Sequence, residues 1–183
     1  MPMCDAYIPA NALEPDAERR LVARVGDILV SHEIRRVADL MDDPEVVENM
    51  RKAAMSISWT FVHRTETYVA GRPIDAPYYR FLASIPQGQL DDRFIPEINR
   101  DIMAAVVDAE GGRYPNPERR VWVFAYEVPD GTWGAGGRPL HLKHIIDYVA
   151  AGWGDNAVER WTQVRAAEAA ALVRLAESYE ATV

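Results

Sequence analysis

Apolar residues recur along this chain in two rhythms, a period of two and a period near three and a half, and the rhythms alternate. Met3-Cys4-Asp5-Ala6-Tyr7-Ile8 is a short run closed by Pro9, and Asn11 with Pro15 supplies a turn and a helix entry, so a strand and then a helix are predicted. From Pro15 to about His32, Ala17, Leu21, Val22, Val25, Ile28 and Leu29 fall at helical spacing, with Glu18, Arg19, Arg20, Arg24 and Asp27 on the opposite side. Such a helix buries one stripe against a sheet. Arg35 to Met55 keeps a helical composition broken at Asp42-Asp43-Pro44, which predicts two short helices, the second capped by Asp43. Ser58 to Val69 is rich in β-branched and aromatic residues and ends at Gly71 and Pro73, as a second strand would.

The pattern then restarts. Tyr78 to Ile85 reads as a third strand, Pro86-Gln87-Gly88 as a turn, and Leu90 to Glu110 as a helix stopped by Gly111-Gly112. Arg120 to Val128 is the most strand-like run of the chain. Two β-α-β units in tandem predict an α+β fold, a four-stranded sheet with helices on one face. Beyond Pro139 the composition is helical, in two stretches divided at Gly152 to Asp155. The expected organisation is a double β-α-β domain over residues 1–139 and a helical extension over 140–183 packed on it.

The 183 residues carry a net charge of -8 with a pI near 5.0, so no cationic stripe is available to displace counterions from a nucleic acid or to meet an anionic membrane. No apolar run approaches the roughly 20 residues of a membrane span, and no basic start with an apolar stretch suggests a secretory leader. A cytoplasmic protein is expected. The single cysteine, Cys4, excludes an internal disulfide framework and reads as a small core residue. His141 and His144 lie near each other, but no further ligands are grouped with them, so neither a metal nor a cofactor is expected.

Pro2 is the first chemical candidate. A small residue or proline after Met1 favours methionine removal, which would leave a secondary amine at the head of the first strand. An α-amino group titrates near about 7.7–8.0, and an apolar surround disfavours its charged form, so it can act as a base near neutral pH. Met-Pro is also simply a common protein start. The second candidate is Glu127-Val128-Pro129-Asp130-Gly131-Thr132-Trp133-Gly134-Ala135-Gly136-Gly137, directly after the last strand. Its glycines fit a structured hairpin at a subunit edge, whereas a phosphate loop would need a following lysine and a place after the first strand.

Pro2 at the head of a strand, the doubled β-α-β and this glycine-rich string together resemble the tautomerase superfamily, over roughly residues 2–137. The string is similar to the hairpin of the oxalocrotonate tautomerase branch; Arg120-Val121-Trp122-Val123-Phe124 and the length are closer to the chloroacrylic acid dehalogenase branch. The resemblance implies a homotrimer whose sheets enclose a central barrel. It makes Pro2 the general base or acid, with pocket walls supplied by a neighbouring chain. It also implies that Trp122 and Phe124 line the pocket and that Trp133 forms its apolar wall, although Trp122 reads equally as core. Pro77, at the head of the third strand, would mirror Pro2 but is an internal amide, so one functional site per chain is expected.

The family's substrate-holding groups are replaced. Its arginine after the first strand falls on Ala12, and the two dehalogenase arginines fall at about Gln87 and Leu90. Its helix histidine falls on Leu29, its strand tyrosine on Phe124 and its water-activating glutamate on Ala135, which speaks against hydrolytic dehalogenation. Among Arg64, Arg72 and Arg80, the last, between Tyr79 and Phe81, is the candidate for a substrate carboxylate. Tyr7 could donate a hydrogen bond to an enolate. The resulting expectation is keto-enol tautomerisation of a small 2-oxo acid or related carbonyl compound. The alternatives are decarboxylation or hydration on the same proline, or a trimeric binding protein that has lost its catalysis.

Overall fold

A computed structural model describes residues 2–38, 43–90 and 93–150, together with 159 and 163. Strand β1 spans Met3–Pro9, and the helices α1 and α2 follow at Pro15–Ala38 and Pro44–Ser56. Next come β2 (Trp59–Thr65) and a small hairpin of β3 (Tyr68–Val69) with β4 (Arg72–Pro73). The second unit holds β5 (Tyr79–Pro86), α3 (Phe94–Glu110), the single turn α4 (Pro117–Arg120) and β6 (Val121–Val128). A second hairpin, β7 (Trp133–Ala135) with β8 (Arg138–Leu140), leads to α5 (Leu142–Val149). The predicted helix over Ala157 to Tyr179 lies outside the described residues.

The main sheet has the order β2-β1-β5-β6. β1 runs parallel to β2, with Met3 opposite Trp59, and antiparallel to β5, with Tyr7 opposite Arg80; β5 runs parallel to β6. Strand alternation therefore sorts the sheet into two faces. Cys4, Ala6 and Ile8 of β1 and Phe81, Ala83 and Ile85 of β5 turn toward the helices. There they pack on Leu21, Val25 and Leu29 of α1 and on Ile98, Ile102 and Val106 of α3. A second apolar cluster ties Val30 and Ile34 of α1 to Met50 and Ala54 of α2 and to Ile145 and Val149 of α5. The α1–α3 seam carries polar ties at its edge: Arg35 pairs with Glu97, and His32 Nε2 lies 2.9 Å from Asp101.

Three boundaries differ from the sequence reading. α1 runs on to Ala38, because Val30 and Ile34 continue its apolar stripe onto α2, so the expected break after His32 is not made. The run to Val69 divides after Thr65, and its end folds back on Arg72 through Ala70 and Gly71, both at positive φ. α3 begins at Phe94, since Gln89 donates back to the Pro86 carbonyl in a turn and the Leu90 N–H is taken by Glu127. The caps match expectation. Asp43 accepts from the Glu45 N–H at 2.9 Å, and Gly111, at φ 62°, closes α3 with the left-handed residue such a stop requires.

Among the described residues, no helix packs on the far face of the sheet. From edge to edge it presents Trp59, Phe61 and His63; Met3, Asp5 and Tyr7; Ser84, Leu82 and Arg80; and Tyr126, Phe124 and Trp122. Trp59 and Trp122 are each 58% exposed, so large apolar rings lie bare on this face.

Candidate functional site

Pro2 is buried immediately ahead of β1. The next residue, Met3, lines a cleft of about 270 Å³ at the head of the strand, together with Asp5, Phe61, Ser84, Trp133 and Leu140 among others; Pro2 itself is not on its lining. The hairpin forms one wall. Its two arms close because Gly134 carries no side chain: a Cβ there would sit 2.7 Å from the Arg138 carbonyl oxygen. Gly136 and Gly137 turn the chain at φ 61° and 76°. Asp130 anchors the base, accepting from the Leu142 N–H at 2.7 Å and lying 3.0 Å from His141 Nδ1. Burial works against the Asp130 carboxylate, but these two partners prevail and hold its pKa below the usual range. Trp133 thus stands against the cleft, its Nε1 buried and, among the described residues, without a hydrogen-bond partner.

The positions where the resembling families carry cations are structural here. The Gln87 side chain accepts from the Asp130 N–H at 2.9 Å, and Leu90 donates its N–H to Glu127, so both lock the β5–α3 turn to the end of β6. Leu29 is core, and Ala12 packs against it. Among the described residues, no arginine, lysine or histidine lines the cleft.

The remaining sequence candidates gather at the opposite end of the open face. Tyr7, Arg80, Trp122 and Phe124 line a second, shallower hollow of about 440 Å³ with Thr65, Thr67 and Tyr78. The Arg80 guanidinium lies 5.5 Å from the ring centre of Tyr7 and 5.1 Å from that of Phe124, a cation held between two π faces. Among the described residues it has no carboxylate partner. Arg64, by contrast, is committed to a two-pronged pair with Glu18 at 2.7 and 2.6 Å, and Arg72 sits on the exposed outer hairpin. Four residues of strand separate Tyr7 from Met3, about 13 Å at 3.3 Å per residue. One copy of the chain therefore brings Trp133 to the Pro2 end but leaves Tyr7, Arg80, Trp122 and Phe124 at the other.

Two arrangements were not drawn from the sequence. Asp5, on the cleft lining, is bonded to His63 Nε2 at 2.6 Å, and the His63 ring stacks on Tyr7 at 4.5 Å and 14°. Strand alternation places Asp5 and Tyr7 on one face, but only the parallel register brings His63 beside them. The other is Arg120, read as a strand residue and found in α4 as a buried cation. It grips Glu110 at 2.7 and 2.9 Å and donates to the carbonyls of Pro77, Tyr114 and Pro115. Burial, reinforced by the Glu110 carboxylate, pushes the neighbouring Tyr79 hydroxyl well above its usual pKa. This brace fills the head of β5, the place in the second unit that corresponds to Pro2 in the first.

No protein-family model and no curated protein matches the sequence. Solved structures do match. The chain superposes on Pt0534, a protein inactivated by 2-oxo-3-pentynoate, with a TM-score of 0.55 and 14% identity, over 78% of this chain and 98% of that one. A fused 4-OT described as a symmetric trimer gives a TM-score of 0.53 at 15% identity, over 82% and 98% of the two chains. A macrophage migration inhibitory factor-like protein of Entamoeba histolytica gives 0.53 at 10% identity, over 76% and 98%. The chain shares its fold with these three proteins.

Proposed function

We propose that this chain is a tautomerase-superfamily enzyme in which Pro2, freed by removal of Met1, moves a proton between carbon and oxygen of a small enolisable carbonyl compound. The observation that carries the reading is the coincidence, on this fold, of a proline at the head of β1 with an apolar cleft beside it. Phe61, Trp133 and Leu140 give that cleft an apolar wall, which offsets the preference of an α-amine for its ammonium form and brings amine and ammonium near balance around neutral pH, so that Pro2 can both take and give a proton. In the forward step the amine takes a proton from one end of the enol system. Its ammonium form then returns a proton to the other end, so the substrate changes only in where a hydrogen sits.

The substrate's acid group is met by a second copy of the chain. Among the described residues, each end of the open face is half of a site: the Pro2 end has no cation on its lining, and the Arg80 end has a guanidinium between Tyr7 and Phe124, without a carboxylate partner, but no amine. Bringing the Arg80 end of one copy to the Pro2 end of another completes both, and covers Trp59, Phe61, Trp122 and Phe124 in the process. A trimer closed around the open faces does this for all its members. A 2-oxo acid is then the expected substrate class, its carboxylate on Arg80 with Tyr7, Trp122 and Phe124 around it.

The test is intact mass followed by turnover. Mass lower than the full sequence by one methionine, with loss of turnover of enol 2-oxo acids in Pro2→Ala, supports the reading. A retained Met1 removes the free amine and overturns it. Unchanged turnover in Pro2→Ala overturns it as well; in that event a ligand bound without turnover marks a binding protein on an enzyme fold.

A further inference from the structure

We propose that Asp5, held by His63, is a second acid–base group of the Pro2 cleft, taking the proton at the substrate oxygen while Pro2 serves the carbon. The inference rests on the proline-dependent reading above. Among the described residues, Asp5 is the titratable side chain on the cleft lining, which is otherwise apolar or backbone apart from the Ser84 hydroxyl. The Asp5 carboxylate, 35% exposed, stands among Met3, Phe61, Trp133 and Leu140, and among the described residues its side-chain partner is His63, at 2.6 Å.

The geometry around that bond is fixed from three strands. His63 reaches across from β2, where its ring is clamped flat on Tyr7 of β1, and the Arg80 guanidinium of β5 lies over Tyr7 in turn. These are the titratable and charged groups that face Asp5: His63 from β2, Tyr7 from its own strand and Arg80 from β5. His63 Nε2 engages Oδ1 of Asp5, and the Asp5 residue lies on the cleft lining while His63 does not. The arrangement is a carboxylate–imidazole pair whose carboxylate, and not its imidazole, points to the reacting space.

The chemistry balances without any co-reactant. The enol O–H bond breaks and its proton passes to the Asp5 carboxylate. The oxygen electrons form the carbonyl, and the displaced π electrons take a proton from the Pro2 ammonium, forming the new C–H bond. The keto product leaves an Asp5 acid and a neutral Pro2 amine. Transfer of the Asp5 proton to the amine, through His63 or water, restores the starting state. In the reverse direction the same two groups exchange roles.

Two measurements on the full chain test this. The first is the rate of alkylation of the Pro2 amine by a neutral Michael acceptor, read by mass against pH. If the Asp5 carboxylate shares the site with the amine it stabilises the ammonium form, so Asp5→Asn is expected to move the midpoint to lower pH. The second is the pH–rate profile with an enol 2-oxo acid. There Asp5→Asn is expected to lower kcat by about 100-fold with little change in KM, the size usual for losing a positioned acid–base group. His63→Gln, which still donates a hydrogen bond, should retain more activity than His63→Ala. Melting temperatures of all variants separate these effects from loss of fold.

An Asp5→Asn protein that folds and keeps both the wild-type alkylation midpoint and the wild-type kcat overturns the proposal, and Pro2-dependent turnover in the same assays would show that the underlying reading stands. If the wild type turns over no enol, or Pro2→Ala is as active as the wild type, the proline reading fails and the catalytic role of Asp5 falls with it.

Discussion

Replacing Arg120 by alanine should unfold this protein far more readily than any surface change. The Arg120 side chain is 4% exposed and that of Glu110 is fully buried. The substitution deletes the two contacts to Glu110, at 2.7 and 2.9 Å, and the bonds to the carbonyls of Pro77, Pro115 and Tyr114, at 2.9, 2.9 and 3.1 Å. What remains is a carboxylate in the protein interior with no cation. Breaking a buried pair in this one-sided way costs about 3–5 kcal/mol, against a total stability of about 5–15 kcal/mol for a typical domain. With a urea slope of about 2 kcal/mol per molar, the unfolding midpoint should fall by about 2 M at fixed protein concentration. The double variant Glu110→Leu/Arg120→Met removes both charges and keeps most of the volume, so it should recover most of the loss. An Arg120→Ala midpoint within about 0.5 M of the wild type, or a double variant no better than the single, would refute the account of this cluster as a desolvated brace.

Asp43→Ala removes the side-chain acceptor at the start of α2 and should cost about 1 kcal/mol in urea unfolding, with activity retained. Gly134→Ala forces a Cβ to 2.7 Å from the Arg138 carbonyl, so the hairpin opens and turnover should fall while far-UV circular dichroism holds. Cys4 should resist an aqueous thiol reagent in the folded protein and react on addition of denaturant, because burial, and then the charge of Asp5, pushes its thiol up to about 12. Arg35 holds the Glu97 carboxyl below its usual range, and His32 with Arg100 does the same for Asp101 against the effect of burial. A lowered folded-state pKa adds stability above the ordinary carboxylate values of about 4, and this is lost as pH falls through the lower ones. The urea midpoint should therefore decline below about pH 4, and less steeply in Arg35→Met than in the wild type.

The strands were legible because each carries its alternation in residues that burial does not blur. Cys4, Ala6 and Ile8 against Asp5 and Tyr7 give β1 its faces before any coordinates are known, and Trp122 with Phe124 does so for β6. The hairpin was legible because glycine is the residue its close-set arms and left-handed turn require. Alternation, though, reports a face and not a place along the strand. That is why Tyr7, Arg80, Trp122 and Phe124 could be assigned to one surface with Trp133 and yet lie at the other end of it from Pro2. The Asp5–His63 bond and the Arg120–Glu110 brace depend on register and on a single helical turn, and neither leaves a local trace. The continuation of α1 past His32 was hidden for a related reason, since its second apolar stripe answers to α2 and α5, elements the α1 sequence does not contain.

The two units of this chain begin alike, each with a proline before its inner strand, but only one of those prolines can have nothing in front of it. For the reading proposed here, this makes the protein unusually sensitive to how it is handled. A purification tag, a fluorescent fusion or a stray cloning residue ahead of Pro2 would turn the amine into a peptide bond. The sheet, the helices and the brace at Arg120 would be untouched, so such a preparation would purify, melt and crystallise normally and be inert. Material prepared for any enzymatic screen should carry its handle at the other end.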